Sequence, residues 1–209
     1  MGVGSFSHKL YNVSMHYIVG LGNIGTEYKN TRHNVGWTVL EYFLTEERLP
    51  NPVDSAQFSG SISRGVILAE EVVVLFPNTF MNKSGSAVKK LVPKEGVQNL
   101  VVVYDDVDLP IGEIKVSAGR GAGGHNGVAS IIDALGSKDF VRVRVGIAPV
   151  SFWTGKPRRP QGGAAMTRHV LSKFTRREEA KLEEVKETVR QAIKTIITDG
   201  VEAAMNKFN

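Results

Sequence analysis

The feature that most constrains the fold is the apolar run LVVVY at residues 100–104, which ends directly at Asp105 and Asp106. A strand without a polar face has both faces covered, as in the centre of a parallel sheet between two layers of helices. Segments of strand type and helix type alternate along the rest of the chain, which is typical of an α/β domain. We therefore predict one α/β domain over residues 15–209, with a site at the carboxyl end of this strand.

Apolar periodicity predicts the other elements of this domain. Further strands are predicted at residues 17–21, 58–64, 66–69, 72–76, 114–117 and 141–147, and the pair 58–64 and 66–69 forms an antiparallel hairpin. Helices are predicted at residues 35–49, 84–91 and 126–135, and a last helix runs from a capping box at Thr175 and Glu178 to Gly200. Residues 151–165 are predicted to form a basic loop rich in Pro and Gly, and residues 1–14 an extension before Met15.

Composition excludes several classes of site. The chain has 209 residues, 42% of them hydrophobic, which is enough to bury the core of one domain. It has no cysteine, which excludes disulfides and thiolate catalysis, and its five histidines contain no HxxxH pair, so we expect no metal. No run approaches the roughly 18 to 20 apolar residues of a membrane span. The net charge of +5 mildly favours a polyanionic partner.

A glycine motif, Gly20-x-Gly22-x-x-Gly25, follows the first predicted strand. Its spacing matches the fingerprint of dinucleotide-binding proteins, in which a helix begins at once and binds the pyrophosphate. Here the polar residues TEYKNTRHN follow instead, and the apolar period of the next helix begins only at Val35. A nucleotide-dependent oxidoreductase therefore stays an alternative, and the glycines need another explanation.

Polar residues cluster where the predicted strands and glycine turns end. The segments are Asn23, residues 32–34, residues 78–82, Asp105 with Asp106, and residues 121–127. If the strands are parallel, these segments meet at one edge of the sheet. They contain a candidate general base, a carboxylate able to orient it and several neutral amides, but no G-x-S-x-G motif around a serine nucleophile. Water is therefore the expected attacking group.

Each of these polar residues also has a purely structural interpretation. His33, Asn82 and Asn126 stand where a helix cap is needed. Asp106 and Asp108 suit the turn that leads to Pro110. Ordinary packing or solvation is expected for the remaining histidines, which are His8, His16, His125 and His169.

Four motifs resemble the signatures of one family. GLGNIGTEY with TRHNVG, NTFMNKSG, YDDVDLPIG and GAGGHNG occur in this order, and RHVLSKFTRREEAKL follows near the C-terminus. Together they are similar to the sequences of bacterial-type peptidyl-tRNA hydrolases. The resemblance implies a monomeric, cytoplasmic α/β enzyme without a cofactor, built on a twisted mixed β-sheet with helices on both faces. Its implied partner is peptidyl-tRNA, bound through the acceptor stem and 3′ end, and its implied reaction is hydrolysis of the ester between the peptide and the 3′ ribose.

The resemblance also implies roles for individual residues. The catalytic base falls on His33, and its carboxylate partner falls on Asp105. The implied substrate-binding residues are Asn23, Tyr28, Phe80, Met81, Asn82 and Asn126. Under this interpretation the glycines of residues 20–25 shape the turn that presents Asn23, and no dinucleotide is needed.

Two positions depart from the family pattern. Ile24 stands where the family has proline, which alters the stiffness of the loop and removes no side-chain function. Of the basic pair that grips a tRNA phosphate, one member corresponds to Arg144, but the other falls on Ser117. Lys115 shares a strand face with Ser117 and can partly compensate. For Arg142, which alternates with valines beside Arg144, a solvated face and a phosphate contact both stay open.

The main alternative from another class is a non-catalytic RNA-binding protein on the same fold, because an intact catalytic set does not by itself prove turnover. Such a protein would expose an apolar patch for a protein partner and would cleave no ester. In the enzyme, Lys156, Arg158 and Arg159 of the basic loop are expected to contact the tRNA backbone.

Overall fold

The structure is a computed structural model that describes residues 15–151 and 157–209. Residues 1–14 and part of the predicted loop at 151–165 lie outside the described residues. The strands are β1 (His16–Gly20), β2 (Val53–Ser55), β3 (Gly60–Ile67), β4 (Glu70–Pro77), β5 (Leu100–Pro110), β6 (Ile114–Ala118) and β7 (Val141–Ala148). The helices are α1 (Val35–Glu46), α2 (Ser84–Leu91), α3 (Asn126–Leu135), α4 (Gly163–Val170) and α5 (Arg176–Phe208).

One seven-stranded sheet, in the order β2-β3-β4-β1-β5-β7-β6, organises the fold. The four strands β4, β1, β5 and β7 are parallel, and β3 and β6 pair antiparallel with the outer members of this group. The predicted central strand is confirmed, because β5 lies between β1 and β7 and is buried from Leu100 to Asp106. The carboxyl ends of the four parallel strands therefore meet at one edge of the sheet.

Helices cover both faces of the sheet. On one face, Phe43 of α1 and Val189 of α5 belong to the same buried apolar cluster. On the other face, Val88 of α2 and Ile131 of α3 belong to a second cluster. The predicted α/β class, with a mixed sheet between helices, is confirmed. No helix in the described part of the chain combines the length and the hydropathy needed to cross a membrane.

The edge of the sheet beyond β4 differs from the prediction. Residues 58–64 and 66–69 do not form two strands, because β3 runs unbroken over Gly60–Ile67. Gly65 interrupts the apolar pattern without ending the strand, and a Cβ atom there would lie 2.5 Å from Leu49 Cδ2. The hairpin instead joins β3 to β4 through Leu68 and Ala69, whose φ angles of 51° and 70° form a two-residue turn. The short strand β2 is also absent from the prediction.

The helices agree with the prediction in most of their bounds. α2 and α3 begin and end as predicted, whereas α1 ends at Glu46 and α4 begins inside the predicted loop. The capping box of α5 is confirmed, since Thr175 Oγ1 accepts from the Glu178 N–H and Glu178 Oε2 accepts from the Thr175 N–H. Gly200, with φ of 86°, interrupts α5, but the chain continues as helix to Phe208.

Two glycines let the start of α1 lie directly on the sheet. A Cβ atom on Gly20 would lie 2.8 Å from the carbonyl oxygen of Gly36, and one on Gly36 would lie 2.4 Å from that of Val103. Only glycine allows so close an approach of helix and strand backbones. This approach accounts for part of the glycine motif without a nucleotide. It also places the residues just before α1 next to the carboxyl half of β5.

Candidate active site

A cavity of about 580 Å³ lies at the carboxyl edge of the sheet. Its wall includes His33 from the turn before α1, Asp105 from β5 and Asn126 at the start of α3. Strands β6 and β7 continue the wall with Lys115, Ser117, Arg142 and Arg144. Residues from three of the polar segments that the sequence predicts to converge therefore share one cavity.

His33 and Asp105 form a direct hydrogen bond, with 2.8 Å between Nδ1 and Oδ1. His33 lies in a short 3-10 turn, Arg32–Asn34, that leads into α1, and the Asp105 side chain is only 2% exposed. Because a carboxylate can only accept, Nδ1 of His33 carries the proton and donates it to this bond. Nε2 of His33 then keeps its lone pair, and it has no hydrogen-bond partner among the described residues.

A second histidine shares the same carboxylate oxygen. His125 Nε2 lies 3.0 Å from Asp105 Oδ1, and its Nδ1 accepts a 3.3 Å hydrogen bond from the Val128 N–H. His125 is thus the N-cap of α3, and this cap fixes the tautomer in which Nε2 donates to Asp105. The expectation of ordinary packing for His125 is wrong, as is the alternative that Asn126 caps the helix. We refer to His33, Asp105 and His125 as the His33 cluster.

Contacts within the His33 cluster shift the pKa values of His33 and Asp105. Burial alone would lower the pKa of His33, but the charge and hydrogen bond of Asp105 outweigh it and raise the pKa above its usual value. Burial alone would raise the pKa of Asp105, yet the two imidazoles hold this pKa well below its usual range. Asp105 therefore stays ionised at neutral pH, and His33 exchanges its proton at a higher pH than an isolated histidine.

Among the described residues, the His33 cluster is also the group of side chains that could hold a metal ion. Its potential ligand atoms all lie within 4.8 Å of one another. The N to O distances of 2.8 and 3.0 Å are those of direct hydrogen bonds, and Nδ1 of His125 is used by the helix cap. A metal bound here would have to replace these bonds. The geometry is therefore that of three side chains joined by hydrogen bonds.

Asn23 is fixed from both sides. Asn34 Oδ1 accepts from the Asn23 N–H at 2.9 Å, and Asn34 Nδ2 donates to the Asn23 carbonyl at 3.0 Å. The side-chain Oδ1 of Asn23 accepts from the Met81 N–H at 2.7 Å. This bond orients the amide so that its NH₂ group has no partner among the described residues and can donate to a substrate. Asn34, to which the sequence assigns no role of its own, thus fixes the backbone of Asn23, although neither residue is among those that line the cavity.

Met81 packs beside the His33 cluster. It is buried, and a Cβ atom on Gly127 would lie 2.5 Å from Met81 Sδ and 3.2 Å from His125 Cε1. Gly127 therefore leaves room for both side chains at the start of α3. The turn that leads into α2 and the start of α3 are in contact here, although no feature of the sequence pattern predicts it.

Four other predicted site residues are more open to solvent. Asn82 and Asn126 are exposed, and their amides have no hydrogen-bond partner in the part of the chain that the structure describes. Neither α1 nor α2 has a side-chain cap, so the alternative cap roles of His33 and Asn82 are wrong. Tyr28 is half-buried and Phe80 is 52% exposed, and no hydrogen bond or ring contact joins either side chain to the His33 cluster.

Arg142 is completely buried, although its position in an alternating strand leaves a solvated face or a phosphate contact as the sequence-based alternatives. Its guanidinium donates to the carbonyl oxygens of Lys138, Phe140 and Arg120. It also lies over the Phe140 ring, 4.1 Å from the ring centre. Both alternatives for Arg142 are therefore wrong, and its bonds join the segment before β7 to the segment after β6.

Arg144 and its neighbours form the accessible part of the basic wall. Arg144 donates to Asp106 Oδ2, and Asp106 Oδ1 accepts from the Asp108 N–H at 2.8 Å. The predicted turn role of Asp106 is wrong, because β5 continues to Pro110 and this bond spans an irregularity within the strand. Lys115 is exposed and has no ion-pair partner among the described residues. Ser117 Oγ is buried without a hydrogen-bond partner. The charge of Arg144 is therefore partly compensated, whereas that of Lys115 is not.

The described end of the basic loop folds back over the cavity. Arg159 donates two hydrogen bonds of 2.7 Å to the carboxylate of Asp108, and it lines the cavity. Arg158 is exposed, and Lys156 lies outside the described residues. Of the three loop cations expected near tRNA, Arg159 is thus already in an ion pair.

Known proteins similar to this chain show which family it belongs to. The sequence model of the family described as peptidyl-tRNA hydrolase matches residues 17–209. The chain is 39% identical to the peptidyl-tRNA hydrolase of Clostridium tetani over 197 residues, which cover 93% of this chain and 97% of that protein. The chain belongs to the peptidyl-tRNA hydrolase family.

Further members of the peptidyl-tRNA hydrolase family agree in sequence and in fold. The chain is 40% identical to the protein of Caldanaerobacter subterraneus subsp. tengcongensis over 197 residues, covering 93% of this chain and all of that one. The crystal structure of peptidyl-tRNA hydrolase from Acinetobacter baumannii aligns with a TM-score of 0.80 at 28% identity, covering 94% of this chain and 95% of that one. The resemblance inferred from four short motifs is confirmed.

Proposed function

We propose that this chain hydrolyses the ester that joins a peptide, or an N-blocked amino acid, to the 3′ ribose of tRNA, with His33 as general base. One observation carries the assignment of His33: its Nδ1 lies 2.8 Å from the buried carboxylate of Asp105, on the wall of the cavity. That bond leaves Nε2 as the proton acceptor. Membership of the peptidyl-tRNA hydrolase family supports the substrate class.

In the proposed reaction, Nε2 of His33 removes a proton from a water molecule, and the oxygen of that water attacks the ester carbonyl carbon. Asp105 holds the ring in the required tautomer and stabilises the imidazolium that forms. The tetrahedral intermediate then expels the 3′ oxygen of the ribose, which takes the proton from His33. The products are a peptide with a free carboxyl group and a tRNA with a free 3′ hydroxyl, and His33 is neutral again.

Amide groups supply the donors that this reaction requires. The NH₂ groups of Asn23, Asn82 and Asn126 have no hydrogen-bond partner among the described residues. We assign them to the developing oxyanion and to the peptide carbonyls, where one positioned donor is typically worth about 3 kcal/mol of the barrier. Tyr28, Phe80 and Met81 are assigned to the peptide and the terminal nucleotide, for which Tyr28 and Phe80 offer aromatic surface. Met81 is buried and orients Asn23 through its N–H.

The tRNA is proposed to lie along the exposed side of β6 and β7, with its acceptor stem near Lys115 and Arg144. The enzyme is proposed to act without a cofactor, as a monomer, in the cytoplasm, where translation produces its substrate. A non-catalytic RNA-binding role would not require a histidine whose tautomer is fixed by a buried carboxylate. The His33 cluster therefore favours the enzyme over that alternative.

The direct test is release of the blocked amino acid from N-blocked aminoacyl-tRNA, followed as acid-soluble label. We expect multiple turnovers without added metal or nucleotide, because every group in the proposed reaction comes from this chain or from water. Binding of the tRNA without release of the label would favour the non-catalytic alternative. Binding of NAD(H) without ester cleavage would favour the oxidoreductase.

The salt dependence of tRNA binding tests the phosphate contacts. If Lys115 neutralises one phosphate, Lys115→Ala should reduce the slope of log affinity against log salt by nearly one unit. Arg144→Ala should reduce the slope by less, because Asp106 already compensates Arg144. Lys94→Ala is the matched control, since Lys94 is exposed and precedes β5 at the opposite edge of the sheet. An unchanged slope for Lys115→Ala would make Lys115 a solvated strand residue.

A further inference from the structure

The turn that carries His33 is held from two sides. On one side Asn34 forms two hydrogen bonds with the backbone of Asn23, as described above. On the other side the turn contacts the segment between α4 and α5: the Arg32 N–H donates to the Ser172 carbonyl at 3.0 Å, and Thr31 forms an isolated β-bridge with Lys173. The backbone contacts alone therefore join two segments about 140 residues apart in sequence.

The side chain of Arg32 makes this second attachment much stronger. Arg32 is only 6% exposed. One terminal nitrogen donates to Ser172 Oγ and to the Lys173 carbonyl, each at 2.5 Å, and the other donates to Glu178 Oε2 at 2.7 Å. The guanidinium carbon also lies 5.2 Å from the centre of the Phe174 ring. A shift of the turn would break several bonds to this buried charge at once, which fixes the geometry of the turn.

The partners of Arg32 are themselves fixed. Glu178 Oε2 also accepts from the Thr175 N–H in the capping box, so one carboxylate serves both the start of α5 and Arg32. Ser172 follows α4, which contributes Met166 and Val170 to the cavity wall. Arg32 thus joins the turn of His33 to the beginning of the longest helix and to one wall of the cavity.

We infer that Arg32 is a positioning residue for the catalytic base, which acts by fixing the turn of His33 at the distance where Nδ1 bonds to Asp105. The inference rests on the proposed function of His33. Arg32 is next to His33 in the chain, and its bonds to Ser172, Lys173 and Glu178 oppose rotation of the turn away from β5. A displacement of a catalytic group by about 1 Å can lower a rate by about a hundredfold, so the attachment has a measurable consequence.

The test compares Arg32→Met and Arg32→Lys with the unmodified enzyme in the hydrolysis of N-blocked aminoacyl-tRNA. Arg32→Met should lower kcat by at least about tenfold and leave KM within about twofold, because the turn that it loosens carries the base, whereas Arg32 itself makes no proposed substrate contact. Arg32→Lys should recover part of kcat, since an ammonium keeps the charge but cannot reach all three partners at once. The acid limb of the pH profile should move to lower pH in Arg32→Met, because a weaker contact with Asp105 raises the pKa of His33 less.

Arg190→Met is the matched control. Arg190 also joins α5 to the rest of the fold through carboxylates, with 2.6 Å to Glu47 and 2.7 Å to Glu187, but it does not contact the turn of His33. It should lower the thermal midpoint without moving kcat or the acid limb. If Arg32→Met and Arg190→Met lose stability alike and both keep kcat and the acid limb, Arg32 is merely structural and the inference is overturned.

If Arg32→Met does not fold, two less disruptive variants test the same inference. Ser172→Ala and Glu178→Gln each weaken one partner of Arg32 and leave the arginine in place. Both should lower kcat and move the NMR titration midpoint of the His33 ring to lower pH, and an unchanged midpoint in both would overturn the inference. Failure of the proposed function is distinguishable, because the unmodified protein would then release no label, and failure of the base assignment alone would leave activity in His33→Ala, whatever the Arg32 variants do.

Discussion

Replacing His33 with alanine is expected to lower the turnover of N-blocked aminoacyl-tRNA by at least about a hundredfold, the usual worth of a general base. The variant removes the Nε2 lone pair that the proposed reaction needs, and it removes no predicted tRNA contact. The dissociation constant for uncleaved tRNA should therefore stay within about twofold. The measurement is single-turnover release of the label beside equilibrium binding to the same tRNA.

Retained turnover in His33→Ala would contradict the assignment of the base. Loss of tRNA binding together with turnover would instead place His33 among the substrate contacts. His169→Ala is a matched control, because His169 is a half-buried histidine whose Nε2 lies 3.0 Å from the Ile147 carbonyl. It should leave the rate within about threefold of the unmodified enzyme.

Asp105→Asn is expected to have the second largest effect, a loss of roughly a hundredfold or more in turnover. An asparagine can still accept from one imidazole, but it cannot stabilise the imidazolium and can favour the wrong tautomer of His33. The acid limb of the pH profile should move to lower pH, because the carboxylate is what raises the pKa of His33 against the effect of burial. The rate rises with pH as His33 loses its proton, so the shift is towards acid.

Asp106→Asn is the control for Asp105→Asn, since the two carboxylates are adjacent and have different partners. Asp106 bonds to Arg144 and to the backbone of Asp108, and it has no hydrogen bond with the His33 cluster. Turnover at saturating substrate should stay within about threefold. Circular dichroism of both variants separates lost activity from lost structure. Equal losses in the two variants, or a loss confined to Asp106→Asn, would mean that the wrong carboxylate is assigned.

The sheet was largely predictable because burial leaves a strong pattern in the sequence. The run at residues 100–104 identified the central strand, and the bounds of α2 and α3 follow from apolar periodicity and caps. The errors have local causes. Gly65 breaks the apolar pattern of β3, although the strand continues. Helix α4 was not predicted because its N-cap Gly162 and its first residue Gly163 lie in a segment that has the composition of a loop.

The residues of the site could be predicted from the sequence only where they lie in recognisable motifs. His33 and Asp105 stand in recognisable motifs, and the structure brings them within hydrogen-bonding distance. His125 was missed because GGHNG has the composition of a loop, and its bond to Asp105 joins residues 20 positions apart. The available signal was its place directly before an apolar period, where a side chain that accepts from the helix N-terminus is needed.

Charged residues on β7 were the least predictable. The alternation VRVRV indicates one polar face, but local sequence does not reveal which loops cover that face. Arg142 is buried and donates to three carbonyl groups. The charge of Arg144 is partly compensated by Asp106, which the sequence assigns only to a turn. Both outcomes depend on contacts between segments that are distant in the chain.

The measurement that tests the central claim most directly compares two titrations of the unmodified enzyme. One is the pH dependence of single-turnover ester cleavage on N-blocked aminoacyl-tRNA, and the other is the NMR titration of the His33 ring in the free enzyme. If His33 is the base, the rate under subsaturating substrate should rise with the same midpoint as the deprotonation of His33, above the ordinary histidine value of about 6.5. A rate that rises with a midpoint unrelated to the His33 titration would contradict the account.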